Sequence, residues 1–201
     1  MSESVYGVTV DELADFLRIE DEREHVHLSD AMGAAKIDID TFCGQSFDAV
    51  AAASARVFSA RWPDLLYINP CTSVTGLAVD TSGDGTFNQA WASTDYQLEP
   101  LNRIKAGMTD HSYVTVRAIE ARCFPVTKRA AVEVTATWGW DTVPAGVKQA
   151  LKMHAAKLHQ RRNMPAALVA TEDGGVTRAV MGLDSDVRNS LKNFRRVDLW
   201  T

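Results

Sequence analysis

The fold is decided by Val132-Glu133-Val134-Thr135-Ala136-Thr137-Trp138-Gly139-Trp140, then Asp141 and Thr142, then Val143-Pro144-Ala145-Gly146-Val147-Lys148-Gln149-Ala150. Up to Trp138 the apolar residues alternate. Val132, Val134, Ala136 and Trp138 face one way and Glu133, Thr135 and Thr137 the other, which is the pattern of a half-buried antiparallel strand. Beyond Pro144, a residue suited to the first turn of a helix, Val147, Ala150, Leu151, His154, Ala155 and Leu158 recur at helical spacing. A strand that gives way to a long helix within a few residues places a β-region before this point and a helical region after it.

Working toward the N-terminus, residues 56–60, 73–79, 96–99, 113–119 and 131–138 are rich in β-branched and aromatic side chains and bounded by Gly, Pro, Asn and Asp. They predict an antiparallel β-subdomain over 56–140. Ahead of it the period is helical. Thr9 and Glu12 have capping-box spacing, Val8 and Leu13 fit a hydrophobic staple, and Leu13, Phe16 and Leu17 follow on one face. Glu20, Asp21, Glu22 and Glu24 read as a solvated connection, and a second helix is predicted from Ser29 to Cys43, with Leu28, Met32, Ala35, Ile39 and Phe42 as its stripe and Gly44 past its end. Beyond the basic helix, a Gly-rich stretch at Asp173-Gly174-Gly175 leads to a short helix from Ser185 bearing Val187, Leu191 and Phe194. The expected fold is α+β: residues 1–55 form an αα-hairpin belonging to a helical core, 56–140 an inserted antiparallel β-subdomain, 141–170 a core helix, and 171–201 a loop, short helix and tail.

With 201 residues, 46% of them hydrophobic and 23% charged, the chain has an ordinary globular composition. At this length roughly 70% of the unfolded surface can be buried. The net charge of -5 conceals a division: residues 1–147 carry 11 Lys/Arg against 21 Asp/Glu, and residues 148–201 carry 10 against 5. Lys148, Lys152, Lys157 and Arg161 flank the apolar stripe of the predicted core helix, and no acid follows until Glu172. Such asymmetry suits a surface that meets an oppositely charged neighbour. Cys43, Cys71 and Cys123 are widely spaced and form no metal or redox pair, which fits a reducing compartment. No signal peptide and no membrane span is expected, because no basic and apolar leader and no long apolar run is present.

The motifs of common chemistry are missing. Asp80-Thr81-Ser82-Gly83-Asp84-Gly85 imitates the start of a calcium loop, but Trp91 stands where the bidentate Glu belongs, so a turn is expected. His25 and His27 are two residues apart, and His154 and His159 five, not the four that aligns two ligands on a helix face. His154 reads as a core or interface histidine, and Cys43 and Cys71 as small buried residues. There is no nucleophile elbow, no P-loop and no dinucleotide fingerprint. The expectation is no enzymatic activity, no metal and no cofactor; a small soluble hydrolase is the remoter alternative.

Several segments together resemble the head-to-tail connector, or adaptor, proteins of long-tailed double-stranded-DNA phages. They are Val8 to Leu17, Asp40-Thr41-Phe42-Cys43-Gly44, Thr94 to Pro100, the strand with Trp138-Gly139-Trp140 and its basic helix, and Leu183 to Arg188 with Phe194-Arg195-Arg196-Val197. The last pair is similar to the end of actinophage-type members, with Ser185 where Pro, and Phe194 where Tyr, is frequent. The resemblance implies a structural virion protein of the neck, made in the host cytoplasm, that forms a homo-oligomeric ring below the portal. Its implied partners are other copies of itself, the portal protein and the next neck or tail-completion protein, with genomic DNA passing unread and no membrane involved. Subunit contacts are expected at Lys148, Lys152, Lys157 and Arg161. Portal contacts are expected at Phe194, Arg195, Arg196, Val197, Leu199 and Trp200, because Trp and Arg are frequent interface anchors; the alternative is that Trp200 folds back on its own β-subdomain. A tail-completion or tail-terminator protein of the same neck is the nearest competing reading.

Overall fold

A computed structural model of the chain describes residues 4–48, 52–105, 111–126, 129–162, 168–170, 176–178 and 182–196. The fold is α+β, and it divides into two compact units, one made of residues 1–46 and 143–201 and the other of 47–142. In chain order the elements are β1 (Ser4–Val5), β2 (Val8–Thr9), α1 (Val10–Leu17), α2 (His25–Cys43), β3 (Ser54–Phe58), β4 (Leu65–Val79), β5 (Gln89–Trp91), β6 (Tyr96–Glu99), β7 (Tyr113–Ala118), β8 (Val132–Trp138), α3 (Ala145–Arg161), β9 (Leu168–Ala170), β10 (Val176–Arg178) and α4 (Ser185–Leu191).

In the helical unit, α1 starts where its capping signal places it: the Thr9 hydroxyl accepts from the Glu12 amide at 3.2 Å, and Val8 and Leu13 are both buried. Its inner face is Val10, Leu13 and Ala14, whereas Phe16 is 45% exposed, so the apolar stripe is turned from the one expected. Helix α2 begins four residues earlier than Ser29. A 3-10 turn over Glu22–Glu24, capped by Asp21, leads into it directly. At its far end Gly44 takes the left-handed conformation (φ 67°), and its amide donates to the Asp40 carbonyl at 2.8 Å. Leu28, Met32, Ala35 and Ile39 of α2 and Val147, Ala150, Leu151 and Ala155 of α3 are buried, and the two helices pack on each other. On either side of the expected glycine-rich stretch, β9 and β10 pair antiparallel, Ala170 opposite Val176 and Leu168 opposite Arg178, so that 168–170, expected in the core helix, form a strand and α3 ends at Arg161.

The β-unit is one antiparallel sheet in the order β3-β8-β4-β7-β6, with β5 also paired to β4. The key strand is β8, which alternates strictly between buried and half-buried positions and pairs with β3 on one side and β4 on the other. β4 is twice as long as its apolar pattern suggests. Its first half, Leu65 to Cys71, lies against β7, and its second half, Cys71 to Val79, against β8. Pro70 sits at the irregularity where the partner changes. A proline has no N–H to contribute to a ladder, so a bulge accommodates it without loss, and its carbonyl accepts from the Gly139 amide at 2.6 Å. That proline is why only residues 73–79 read as a strand.

Trp138 closes the sheet's buried face. It is 1% exposed, its indole N–H donates to the Ser54 carbonyl at 2.8 Å, Phe58 lies 5.7 Å away ring to ring, and the Arg56 guanidinium sits 4.5 Å over its ring. Replacing Trp138 by Ala is expected to cost about 3–5 kcal/mol in urea unfolding. Replacing the half-exposed Val57 of the edge strand by Ala should cost no more than about 0.5 kcal/mol.

Candidate functional site

The basic residues of α3 do not stand free. Lys152 faces Glu12 of α1 at 3.8 Å, and the Lys157 ammonium donates to the Asp184 carboxylate and, at 3.2 Å, to the Gly182 carbonyl ahead of α4. Lys148 lies beside Gly7. On the side toward α2, His154 Nε2 lies 2.7 Å from Asp38, while His159 Nε2 and Arg162 both reach Glu24, at 3.0 and 2.8 Å. The hydrogen bond from His159 and the charge of Arg162 hold the Glu24 carboxyl below its ordinary value. Glu24 is thus a structural partner of α3 rather than part of a solvated connection. The residues that sequence missed are these acids, Glu12, Glu24, Asp38 and Asp184; the only signal for them was two histidines on the buried side of a helix, which need polar partners from elsewhere.

The C-terminal segment is fastened to the end of α2. Phe194 is buried and its carbonyl accepts from the Gln45 side-chain amide; the Arg196 amide donates to the Cys43 carbonyl at 2.8 Å; Arg195 lies 5.6 Å over the Phe42 ring. Of the expected portal-binding residues, Phe194 and Arg196 are therefore buried in the chain's own helical unit, and Arg195 is exposed. Val197, Leu199 and Trp200 lie outside the described residues.

Asp80, Cys43 and Cys71 belong to the fold's own framework. The Asp80 carboxylate is nearly buried and takes hydrogen bonds from the Gly83 amide (2.6 Å), the Gly85 amide (2.8 Å) and the Ser82 hydroxyl (3.2 Å). Burial pushes its pKa up, but these donors outweigh it and the net displacement is downward. A carboxylate with three such donors holds the turn in place. Cys43 and Cys71 are buried thiols, each pushed up to about 12, chiefly by burial, which leaves no thiolate at neutral pH. Among the described residues no cluster of three His, Cys, Asp or Glu side chains is placed to hold a metal ion, and no helix is long and apolar enough to cross a membrane.

One buried polar cluster has no counterpart in the sequence reading. In the β-unit His111 is 1% exposed, with Nδ1 2.6 Å from the Ser112 carbonyl and its ring 4.7 Å from Trp140. Ser112 donates to the Gly139 carbonyl at 2.8 Å, and Arg103 donates to the His111 carbonyl at 3.0 Å and to Asp141 at 2.6 Å. Arg103, His111 and Ser112 are thereby tied to Gly139, Trp140 and Asp141, which leave β8. Burial, with smaller contributions from the charges of Lys105 and Arg103, holds the His111 imidazole below its ordinary pKa, against the pull of the Ser112 carbonyl.

With this geometry established, the chain shares its fold with chains from the necks of gene transfer agent (GTA) particles. A chain in the neck of an empty GTA particle computed with C6 symmetry matches with a TM-score of 0.56 at 21% identity, over 98% of this chain and 95% of that one. A chain in the neck of a native GTA particle computed with C12 symmetry matches with a TM-score of 0.51 at 21% identity, over 98% and 96%. One in the virion of a native GTA particle gives 0.53 at 21% identity, over 98% and 95%. No family model and no curated protein matches the chain.

The pH behaviour of the His111 cluster follows from its sign. An imidazole with a folded pKa below its unfolded value of about 6.5 stabilises the fold fully above that pH and loses its contribution as pH falls through the folded pKa. The melting temperature of the β-unit is expected to fall as pH drops below about 6.5, before carboxylates titrate. His111→Asn, whose amide can still donate to the Ser112 carbonyl, should flatten that slope. Chelator is expected to leave the melting temperature unchanged at any pH; a fall with EDTA that one ion reverses would reveal a metal site.

Proposed function

We propose that the chain is a structural, non-catalytic subunit of the neck of a tailed-phage-type particle, a head-to-tail connector that forms a ring beneath the portal and lets DNA pass. The observation that carries this reading is the likeness to GTA neck chains over nearly the full length of both partners. A helical core with an inserted antiparallel sheet is the architecture that the connector resemblance implies. The acidic excess of residues 1–147 suits a channel wall, since lysines and arginines there would exchange counterions with the phosphates and hold the duplex.

The tail is the proposed portal contact. Its root is fixed by the Arg196–Cys43 hydrogen bond and the buried Phe194, and Leu199 and Trp200 follow within four residues of that anchor in the sequence. Truncation after Arg196 keeps the anchor, and the shortened chain is expected to melt like the full chain while losing its binding to the particle's purified portal. Full-affinity binding by the truncated chain would reject tail docking, and a destabilised truncated chain would favour the folded-back Trp200. Electron microscopy of full-length chain mixed with portal is expected to show a ring on the portal's tail-facing end; a ring that caps only tail tubes would make the protein a tail-completion subunit.

A further inference from the structure

The two most exposed large apolar side chains among those described are Val26 and Ile37, each 66% exposed, and both stand on α2. Three helical turns separate them, so they share one face about 16 Å apart. Between them on that face lie Asp30, Gly33 and Ala34, and open space surrounds the position where a side chain at Gly33 would stand. The opposite face, Leu28, Met32, Ala35 and Ile39, is the one buried in the helical unit. α2 therefore carries a second, exposed apolar face on which Gly33, lacking a side chain, leaves a groove-like gap between Val26 and Ile37, with one exposed acid, Asp30, beside it.

The β-unit carries the converse shape. Leu101 and Ile104 are 56% and 54% exposed and flank Asn102 and Arg103, both in the left-handed region (φ 54° and 57°). Non-glycine residues hold that conformation at a cost, and two in succession persist only where their surroundings impose it. Here Arg103 imposes it: its Nε donates to the His111 carbonyl, its Nη1 to Asp141, and its own carbonyl accepts the His111 amide at 3.0 Å. The turn is thus held from beneath while its two apolar side chains project, with Lys105 exposed beside them.

We propose that the Leu101–Ile104 knob of one copy seats in the Val26–Ile37 groove of the next, with Lys105 against Asp30. The proposal deepens the ring reading and rests on it. A closed ring of identical subunits needs a heterologous contact between two different surfaces of each copy. The groove and the knob are such a pair, apolar at the centre and of opposite charge at the rim. The flanks of α3 are less suited, because Lys152 and Lys157 already pair within the chain. The exposed Trp62 and Tyr67 are less suited as well, since they pack edge to face on each other at 5.8 Å.

The test is native mass spectrometry of the full chain across a concentration series, with melting curves to establish that each variant folds. Wild type is expected to assemble into closed oligomers. Ile37→Asp alone, or Leu101→Asp with Ile104→Asp, should raise the assembly midpoint by more than about tenfold. An equal mixture of the two variants should stop at dimers, because one intact knob then meets one intact groove and the chain of contacts cannot continue. Asp30→Lys should weaken assembly, and Lys105→Glu added to it should restore it. Variants that assemble as wild type does would overturn the assignment of these surfaces and leave the ring standing; wild type that stays monomeric throughout would overturn both.

Discussion

The helical unit is closed across an interruption of nearly a hundred residues. α2 and α3 belong to different ends of the sequence, and the whole β-unit, residues 47–142, lies between them in the chain. Their shared core of Leu28, Met32, Ile39, Val147, Leu151 and Ala155 supplies the burial energy, and polar contacts fix which faces meet. The central one is His154 against Asp38. Its Nε2 lies 2.7 Å from the carboxylate, and its other ring nitrogen, Nδ1, is buried without a hydrogen-bond partner among the described residues, so the contact to Asp38 is what fixes the ring. Glu24 adds a second clasp by accepting from both His159 and Arg162 at the other end of the interface. α1 and α4 are then held to α3 through Lys152 and Lys157, and the C-terminal segment to the end of α2 through Arg196.

Local signals were legible and long-range ones were not. The cap at Thr9, the stop at Gly44 and the alternation of β8 are written within a few residues, and each lies where the sequence places it. The first half of β4 was hidden because Asn69-Pro70 breaks its pattern, although the break is the bulge at which the strand changes partner. The start of α2 was hidden by its charge. Glu22 and Glu24 look solvated until α3 supplies His159 and Arg162. Two of the basic residues flanking α3, Lys152 and Lys157, meet acids that no local pattern marks, Glu12 on α1 and Asp184 at the approach to α4. The Arg103–His111 cluster could not be read at all, because its parts become adjacent only through the pairing of β4, β7 and β8.

A likeness at 21% identity that spans nearly the full length of both chains marks a fold held by pattern more than by particular residues. The charge division takes on a different meaning in that light. Lys152 and Lys157 of the positive helix are spent on closing its own unit. The surfaces proposed for contact between copies, the outer face of α2 and the apolar turn of the β-unit, are among those the fold leaves uncovered, and neither is required for the core beneath it.

The account is tested most directly by a cryo-electron reconstruction of the intact particle that contains this chain. It predicts that the chain fits density repeated with cyclic symmetry between the portal and the tail, the helical unit and the sheet both accommodated in every copy. Density for the chain in the capsid shell or the tail tube, with none of it at the head–tail junction, would contradict it.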